Sequence, residues 1–314
     1  MRRWCMALTM GGSALMMASE PPMLADLTQA VLLREVQAVQ AGWLEDEELT
    51  ESSGLDRSWR NPGVFWTLND SGGRPVLYAL DETGRKRARL QISSAVNLDW
   101  EDLACGPDEQ GRPCLYVGDI GDNLRVRPAI QIYQILEPEL PPGYSEIDAE
   151  AESVRIWNAA YPGERRNAET LVVHPRTGQM HVLTKDENGG SELFALPPKW
   201  PGTTCQTLHS VGRVIFPAIE QAGKRPQDNA MATAGAISAD GDRLVVSTYS
   251  GLYEWTLPPT GLTAEALAKV PSRILVPLTR QMEAVCYGGD GRTLFFTSEH
   301  RPAPLWRVER GKSR

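Results

Sequence analysis

One phrase occurs three times in altered form along this chain: D-W-E-D-L-A at Asp99 to Ala104, N-A-E-T-L-V at Asn167 to Val172, and Q-M-E-A-V-C at Gln281 to Cys286. In each, a glutamate precedes a short apolar run. Recurrence at intervals of tens of residues is the signature of a repeat fold whose units each send one residue to a shared place. Lining up the echoes exposes a longer module of apolar strands separated by turns. Its first copy reads E-S-S-G-L-D, V-F-W-T-L-N-D-S-G-G, P-V-L-Y-A-L-D and A-R-L-Q-I-S; its second reads W-E-D-L-A-C-G, C-L-Y-V-G-D-I-G-D-N, I-Q-I-Y-Q-I-L-E and E-S-V-R-I-W. The third copy begins at A-E-T-L-V-V, the fourth at T-A-G-A-I-S and the fifth at M-E-A-V-C-Y, and the fifth stops after three strands, at P-L-W-R-V-E.

Four modules of four strands and a last one of three are what an all-β propeller shows when its closing blade borrows a strand from the other end of the chain. Val31 to Gly42 has the position and length to be that strand, although Leu32, Val36 and Val39 would also share one face of a helix. The sequence therefore predicts a single β-propeller of five blades closed by an N-terminal strand. Six blades is the alternative, if a degenerate blade lies within 201–227.

The first residues pair Arg2 and Arg3 with a short apolar run that ends among small residues, as a secretory leader does. The expectation is a signal peptide within 1–25, cleaved after Ala18 or Ala25, ahead of one domain at 26–314 and export to the periplasm or beyond. The run is too short to span a bilayer comfortably, so no transmembrane segment is expected in the mature chain. The net charge of −8 argues against a nucleic-acid partner, which needs a dense positive field. Cys105 and Cys114 bracket a turn-rich loop and would face one another across a hairpin, where an oxidising compartment permits a disulfide; four reduced thiols are the other reading.

In a propeller the first strand of each blade lines the central channel, and the outgoing end of the second strand opens onto a rim. In register, the innermost positions are Ser53, Glu101, Glu169, Thr233 and Glu283. Three carboxylates around a narrow channel repel, by roughly 2 kcal/mol per pair at ~7 Å and an effective dielectric of ~20, so something must compensate. Ca²⁺ or another divalent cation would do so, held by Glu101, Glu169 and Glu283 with the amide of Asn123. The other reading makes each glutamate inter-blade glue, accepting hydrogen bonds from the neighbouring blade. The second-strand ends supply Asn69, Asp70, Arg125, Arg127, Lys185, Tyr249 and Glu299 as candidate ligand-binding residues. Asp119, Asp122 and His300 are the candidates for moving protons, although N-D-S-G-G and G-D-I-G-D-N also have the composition of ordinary turns.

At these residues the chain resembles a group of bacterial exported β-propeller proteins that carry N-D-S-G, D-W-E-D-[LI]-A, G-D-I-G-D-N and an E-A-[VL] near the end. It is more distantly similar to phytase-like esterase and gluconolactonase-type propellers, and that likeness implies a metal held in or near the channel by carboxylates and asparagines. Thr233 stands where such a site would have an acid.

Serine-hydrolase and nucleotide-dependent chemistry lose their support, because the chain has no G-x-S-x-G elbow, H-E-x-x-H, P-loop or dinucleotide fingerprint. Two readings remain. One is an exported, monomeric binding or scaffold module whose acidic channel mouth takes a small polar ligand, glycan or protein. The other is a divalent-cation-dependent hydrolase of a phosphoester, ester or lactone.

Overall fold

The computed structural model describes residues 22–27, 30–33, 36–141, 147–199, 202–220, 226–277 and 279–310. The expected leader, apart from its last residues, lies outside them. Alternating apolar positions in each module make strands with one face toward each neighbouring blade, and these strands close into an all-β propeller of five blades.

Blade one contains Ser52–Arg57, Val64–Asn69, Val76–Asp81 and Lys86–Gln91. Blade two contains Trp100–Pro107, Pro113–Asp119, Ile130–Leu136 and Val154–Ala160. Blade three contains Ala168–Val173, Met180–Thr184, Gly190–Ala195 and His209–Ile215, and blade four contains Ala232–Ile237, Arg243–Thr248, Gly251–Thr256 and Ser272–Ile274. Blade five has Met282–Tyr287, Leu294–Ser298 and Pro304–Arg310, and its fourth strand is Val36–Trp43, which runs antiparallel to Pro304–Arg310. The inner strand of blade one adjoins those of blades two and five, which closes the ring.

Two features extend the sequence-based picture. Blades one to four each gain a fifth, parallel outer strand: Ile147–Glu150, Gln206–Thr207, Met23–Asp26 and Val31–Leu33 respectively. The stretch Val31 to Gly42 is thus divided between blades four and five. The stretch 201–227 holds no further blade among the described residues; it contributes Gln206–Thr207 to blade two and His209–Ile215 to blade three.

Aromatic and aliphatic side chains fill the spaces between blades. Phe65 of blade one meets Phe295 of blade five with ring centroids 4.7 Å apart. Cys105 and Cys114 are free thiols, against the hairpin disulfide. Cys105 pairs in register with Leu115, and Cys114 with Gly106. An offset of one residue sends the two side chains to opposite faces of blade two. Cys105 enters the core shared with blade one, and Cys114 the core shared with blade three.

All five inner strands carry a register break at corresponding places. The residues left out of the pairing are Gly54, Glu101, Glu169, Thr233 and Glu283. An extra residue of this kind bends the strand and re-aims a side chain, so the bulge is what turns the recurring glutamates toward the channel mouth. In blade one the break falls at Gly54, not at Ser53 as the sequence register had it. Gly54 has φ 67°, and a Cβ there would lie 2.6 Å from Asp102 Oδ1. Ser53 sits beside the break and donates its hydroxyl to the Glu101 carbonyl at 2.5 Å.

Candidate functional site: an acidic channel mouth

The second acid of the D-W-E-D phrase, Glu101, is 4% exposed, and its side chain meets no hydrogen-bond donor among the described residues. Two further carboxylates converge on it. Asp70 arrives from the turn after the second strand of blade one, and Asp99 from the loop entering blade two; one oxygen of each of the three lies within 4.8 Å of the others. At that separation each ionised pair repels by about 3 kcal/mol at an effective dielectric of roughly 20. Burial first, and then the neighbouring charges of Glu169, Asp70 and Asp99, raise the pKa of Glu101 well above the usual carboxylate range. Burial likewise pushes Asp70 up to about 6, and raises Asp99 against the pull of Arg127.

The chain makes room for this arrangement at Gly121. A Cβ there would fall 2.3 Å from Glu101 Oε1 and 2.5 Å from Asp99 Cγ, so the second glycine of G-D-I-G-D-N is required by the carboxylates it faces. The Gly121 N–H donates to the Asp99 carbonyl at 3.1 Å, which fastens the two loops together.

The other glutamates are neutralised differently. Glu169 accepts from the Lys185 ammonium, and Lys185 also donates to the Tyr249 hydroxyl at 3.0 Å. Tyr249 in turn donates to Glu283 Oε1 at 2.5 Å. A hydrogen bond links Glu283 to Glu299, whose Oε2 accepts from Gln281 at 2.8 Å, and Gln281 meets His300 Nε2 at 2.9 Å. One chain of polar side chains therefore crosses blades three, four and five.

Burial pushes Glu169 up to about 8 although Lys185 pulls it back. Burial, together with the hydrogen bond to Glu283 and its charge, pushes Glu299 up to about 10, so Glu299 holds a proton at neutral pH. Burial opposes the charge on Lys185, but Glu169 and Glu283 outweigh it and raise its pKa.

Several residues selected from the sequence serve the frame. Asp119 is buried in an ion pair with Arg127 at 2.6 Å, and it also accepts from the Asp99 N–H at 3.3 Å. Asp122 accepts from the Val126 and Arg127 N–H groups at 2.8 and 2.7 Å. Asn69 binds the backbone at 48–51, and Asn123 accepts from Asn167 Nδ2 at 3.0 Å. Arg125, half-exposed, lies 3.9 Å from Asp186. The expected metal set is thereby divided: Glu101 joins Asp70 and Asp99, while Glu169, Glu283 and Asn123 have protein partners of their own.

Sequence reasoning passed over Asp99 and Asp102, although both stand in the repeated phrase. Asp102 is fully buried and accepts backbone N–H groups from Leu103 at 2.8 Å, Leu171 at 2.9 Å and Gly235 at 3.4 Å, tying blades two, three and four at the axis. A signal for Asp99 did exist: it is the acid that directly precedes a tryptophan buried at the start of an inner strand.

Among the described residues no helix is long and apolar enough to cross a membrane. No protein-family model matches the chain, and no curated protein does. Solved structures similar to it are propellers and enzymes at low identity. A soluble aldose sugar dehydrogenase from Escherichia coli, in apo form, is 12% identical with a TM-score of 0.49, over 88% of this chain and 100% of that one. A Trichoderma reesei carbohydrate-active enzyme of family AA12 is 9% identical with a TM-score of 0.47, over 90% and 98%. The β-propeller domain of Myceliophteria thermophila Swd1 is 14% identical with a TM-score of 0.38, over 84% of this chain and 65% of that one. Likenesses of this size carry no residue role to the present chain.

Proposed function

We propose that the protein binds a divalent cation, Ca²⁺ being the best fit, at the mouth of its channel through Asp70, Asp99 and Glu101, and uses it to hold a small polar ligand. The observation that carries this reading is Glu101: a carboxylate 4% exposed, without a donor, facing two more carboxylates across a space that Gly121 keeps open. Hard oxygen donors suit Ca²⁺, which takes six to eight oxygens, so three carboxylates leave positions for water or for the oxygens of a ligand. Isothermal titration with Ca²⁺ and Mg²⁺ after chelation tests the reading; absence of a stoichiometric site sinks it.

A second reading, hydrolysis of an ester, lactone or phosphoester, is favoured by the chain Glu169, Lys185, Tyr249, Glu283 and Glu299 beside the carboxylates. Glu299 holds a proton at neutral pH and is joined by hydrogen bonds through Glu283 and Tyr249 to Lys185, while a bound cation would supply polarisation of a ligand oxygen. Release of product from p-nitrophenyl esters, lactones and p-nitrophenyl phosphate, with and without Ca²⁺, separates this reading from binding alone.

We further propose that the protein is exported as a monomer and is cleaved after Ala18. Cleavage there keeps Met23–Asp26 as the fifth strand of blade three, whereas cleavage after Ala25 would remove most of it. N-terminal sequencing of the mature protein decides between the two.

A further inference from the structure

The three carboxylates of the mouth come from two blades, and the two sides are not equally fixed. Asp99 and Glu101 flank Trp100, which is fully buried at the start of an inner strand, and the Asp99 N–H donates to Asp119 at 3.3 Å. Asp70 instead opens a turn of blade one whose next four residues, Ser71 to Arg74, are exposed and include two glycines. Within its own blade that turn is held by the Asp70 N–H, which donates to the Glu51 carbonyl at 3.0 Å. Without a cation the three ionised carboxylates repel one another, and the side free to yield is the turn that carries Asp70.

One buried side chain spans the gap. Asn97, 7% exposed, donates from Nδ2 to the Asn69 carbonyl at 3.3 Å and to the Asp70 carbonyl at 3.0 Å, and its Oδ1 accepts from the Trp100 N–H at 3.2 Å. Its partners fix which amide atom is which, because two carbonyls require the NH₂ group and an N–H requires the oxygen. A single amide thus bonds Asp70 itself and the residue between Asp99 and Glu101. We infer that Asn97 is the positioning residue of the cation site, setting where the Asp70 carboxylate stands relative to Asp99 and Glu101. The inference rests on the cation-binding reading of those three acids. Asn97 acts through Asp70 and not on the cation, since its amide is turned to backbone partners. A brace of this kind raises affinity by holding the ligands in place beforehand, so that the cation does not have to order them against their own repulsion.

Asn97→Ser separates the two halves of this bridge. A serine hydroxyl can still accept from the Trp100 N–H three residues on, as short polar side chains do in such turns, but it is too short to reach the Asp70 carbonyl. Asn97→Thr makes the same separation should the serine variant fold poorly. The wild type, Asn97→Ser, Asp70→Asn and the double variant are each chelated and then titrated with Ca²⁺ and with Tb³⁺, a hard cation whose higher charge keeps a weakened site measurable. Asn97→Ser should bind either cation about 10–100-fold more weakly than wild type, the usual effect of removing a group that orients a metal ligand. In the Asp70→Asn chain, where the carboxylate that Asn97 places is gone, the same substitution should cost no more than about twofold, the ordinary scatter of independent changes. A purely structural role for Asn97 would not depend on which side chain stands at position 70. Unchanged affinity in Asn97→Ser, or an equal loss in both backgrounds, overturns the inference and leaves the cation site standing. A wild type that binds neither cation overturns the reading beneath it.

Discussion

A Cβ placed on Gly121 would stand 2.3 Å from Glu101 Oε1, closer than any real contact of that kind. The glycine and the glutamate come from different motifs, G-D-I-G-D-N and D-W-E-D-L-A, and the acidic mouth exists because the two are adjacent in space.

Gly121→Ala should therefore displace the carboxylates. The loss expected is about 1–3 kcal/mol of stability from overpacking, with weakened or abolished Ca²⁺ binding. Thermal unfolding and calcium titration of the variant check both parts, and an unaltered calcium affinity would show that Glu101 is not a ligand.

Lys185→Met should be among the most damaging substitutions near the channel. Above about pH 8, where Glu169 is ionised, it would leave that carboxylate buried without its counter-charge, and removing one partner of such a pair costs about 3–5 kcal/mol. The loss should shrink as pH falls below about 8, where Glu169 holds a proton. The companion change Glu169→Gln in the same chain should also rescue stability, which a melting series on the single and double variants would read.

Stability should depend on pH in a definite direction in the presence of chelator. Glu169 at about 8, Asp56 at about 7 and Glu299 at about 10 hold protons in the folded state that the unfolded chain releases near pH 4–5. Their contribution is complete below the unfolded values and is lost as pH rises through the folded ones, by about 1.4 kcal/mol per pH unit for each group that still holds its proton. Buried His181, lowered to about 3, acts oppositely: its contribution is present above pH 6.5 and is lost as pH falls. Between pH 6.5 and 8 the carboxyls alone act, so the melting temperature should fall. Ca²⁺ should bind more tightly across the same rise, because its ligands must be deprotonated. A melting temperature that climbs from pH 6.5 to 8 in chelator would contradict this.

Asp119→Asn should lower stability by about 3–5 kcal/mol by unpairing the Arg127 guanidinium, and loosen the loop that carries Gly121. Denaturant unfolding measures it. A normal melting curve with lost hydrolytic activity would instead restore Asp119 as a proton carrier.

The sequence disclosed the blades because the inner and second strands carry short apolar stretches that must be buried on both faces, as Leu55, Leu103 and Val285 are. The parallel outer strands left no such trace: Gln206–Thr207 is two polar residues, held by backbone bonds that any side chain permits. At the mouth, the recurrence of Glu101, Glu169 and Glu283 was visible, but it implied three equivalent ligands. What separates them is the neighbour each finds across the channel: Lys185 for Glu169, Tyr249 for Glu283, and more carboxylates for Glu101. That depends on how loops of adjacent blades meet, which spacing within one blade does not encode.

The most direct test of the account is calcium titration of the chelated wild type and of Glu101→Gln, with melting curves of both. The account predicts one site per chain in the wild type and severely weakened binding in the variant. It also predicts a variant melting temperature in chelator no lower than wild type, since the Glu101 side chain accepts no hydrogen bond among the described residues, and burial with the neighbouring carboxylates outweighs the pull of Lys185 on its charge. Undiminished calcium binding by Glu101→Gln, or a wild type that binds none, would contradict it.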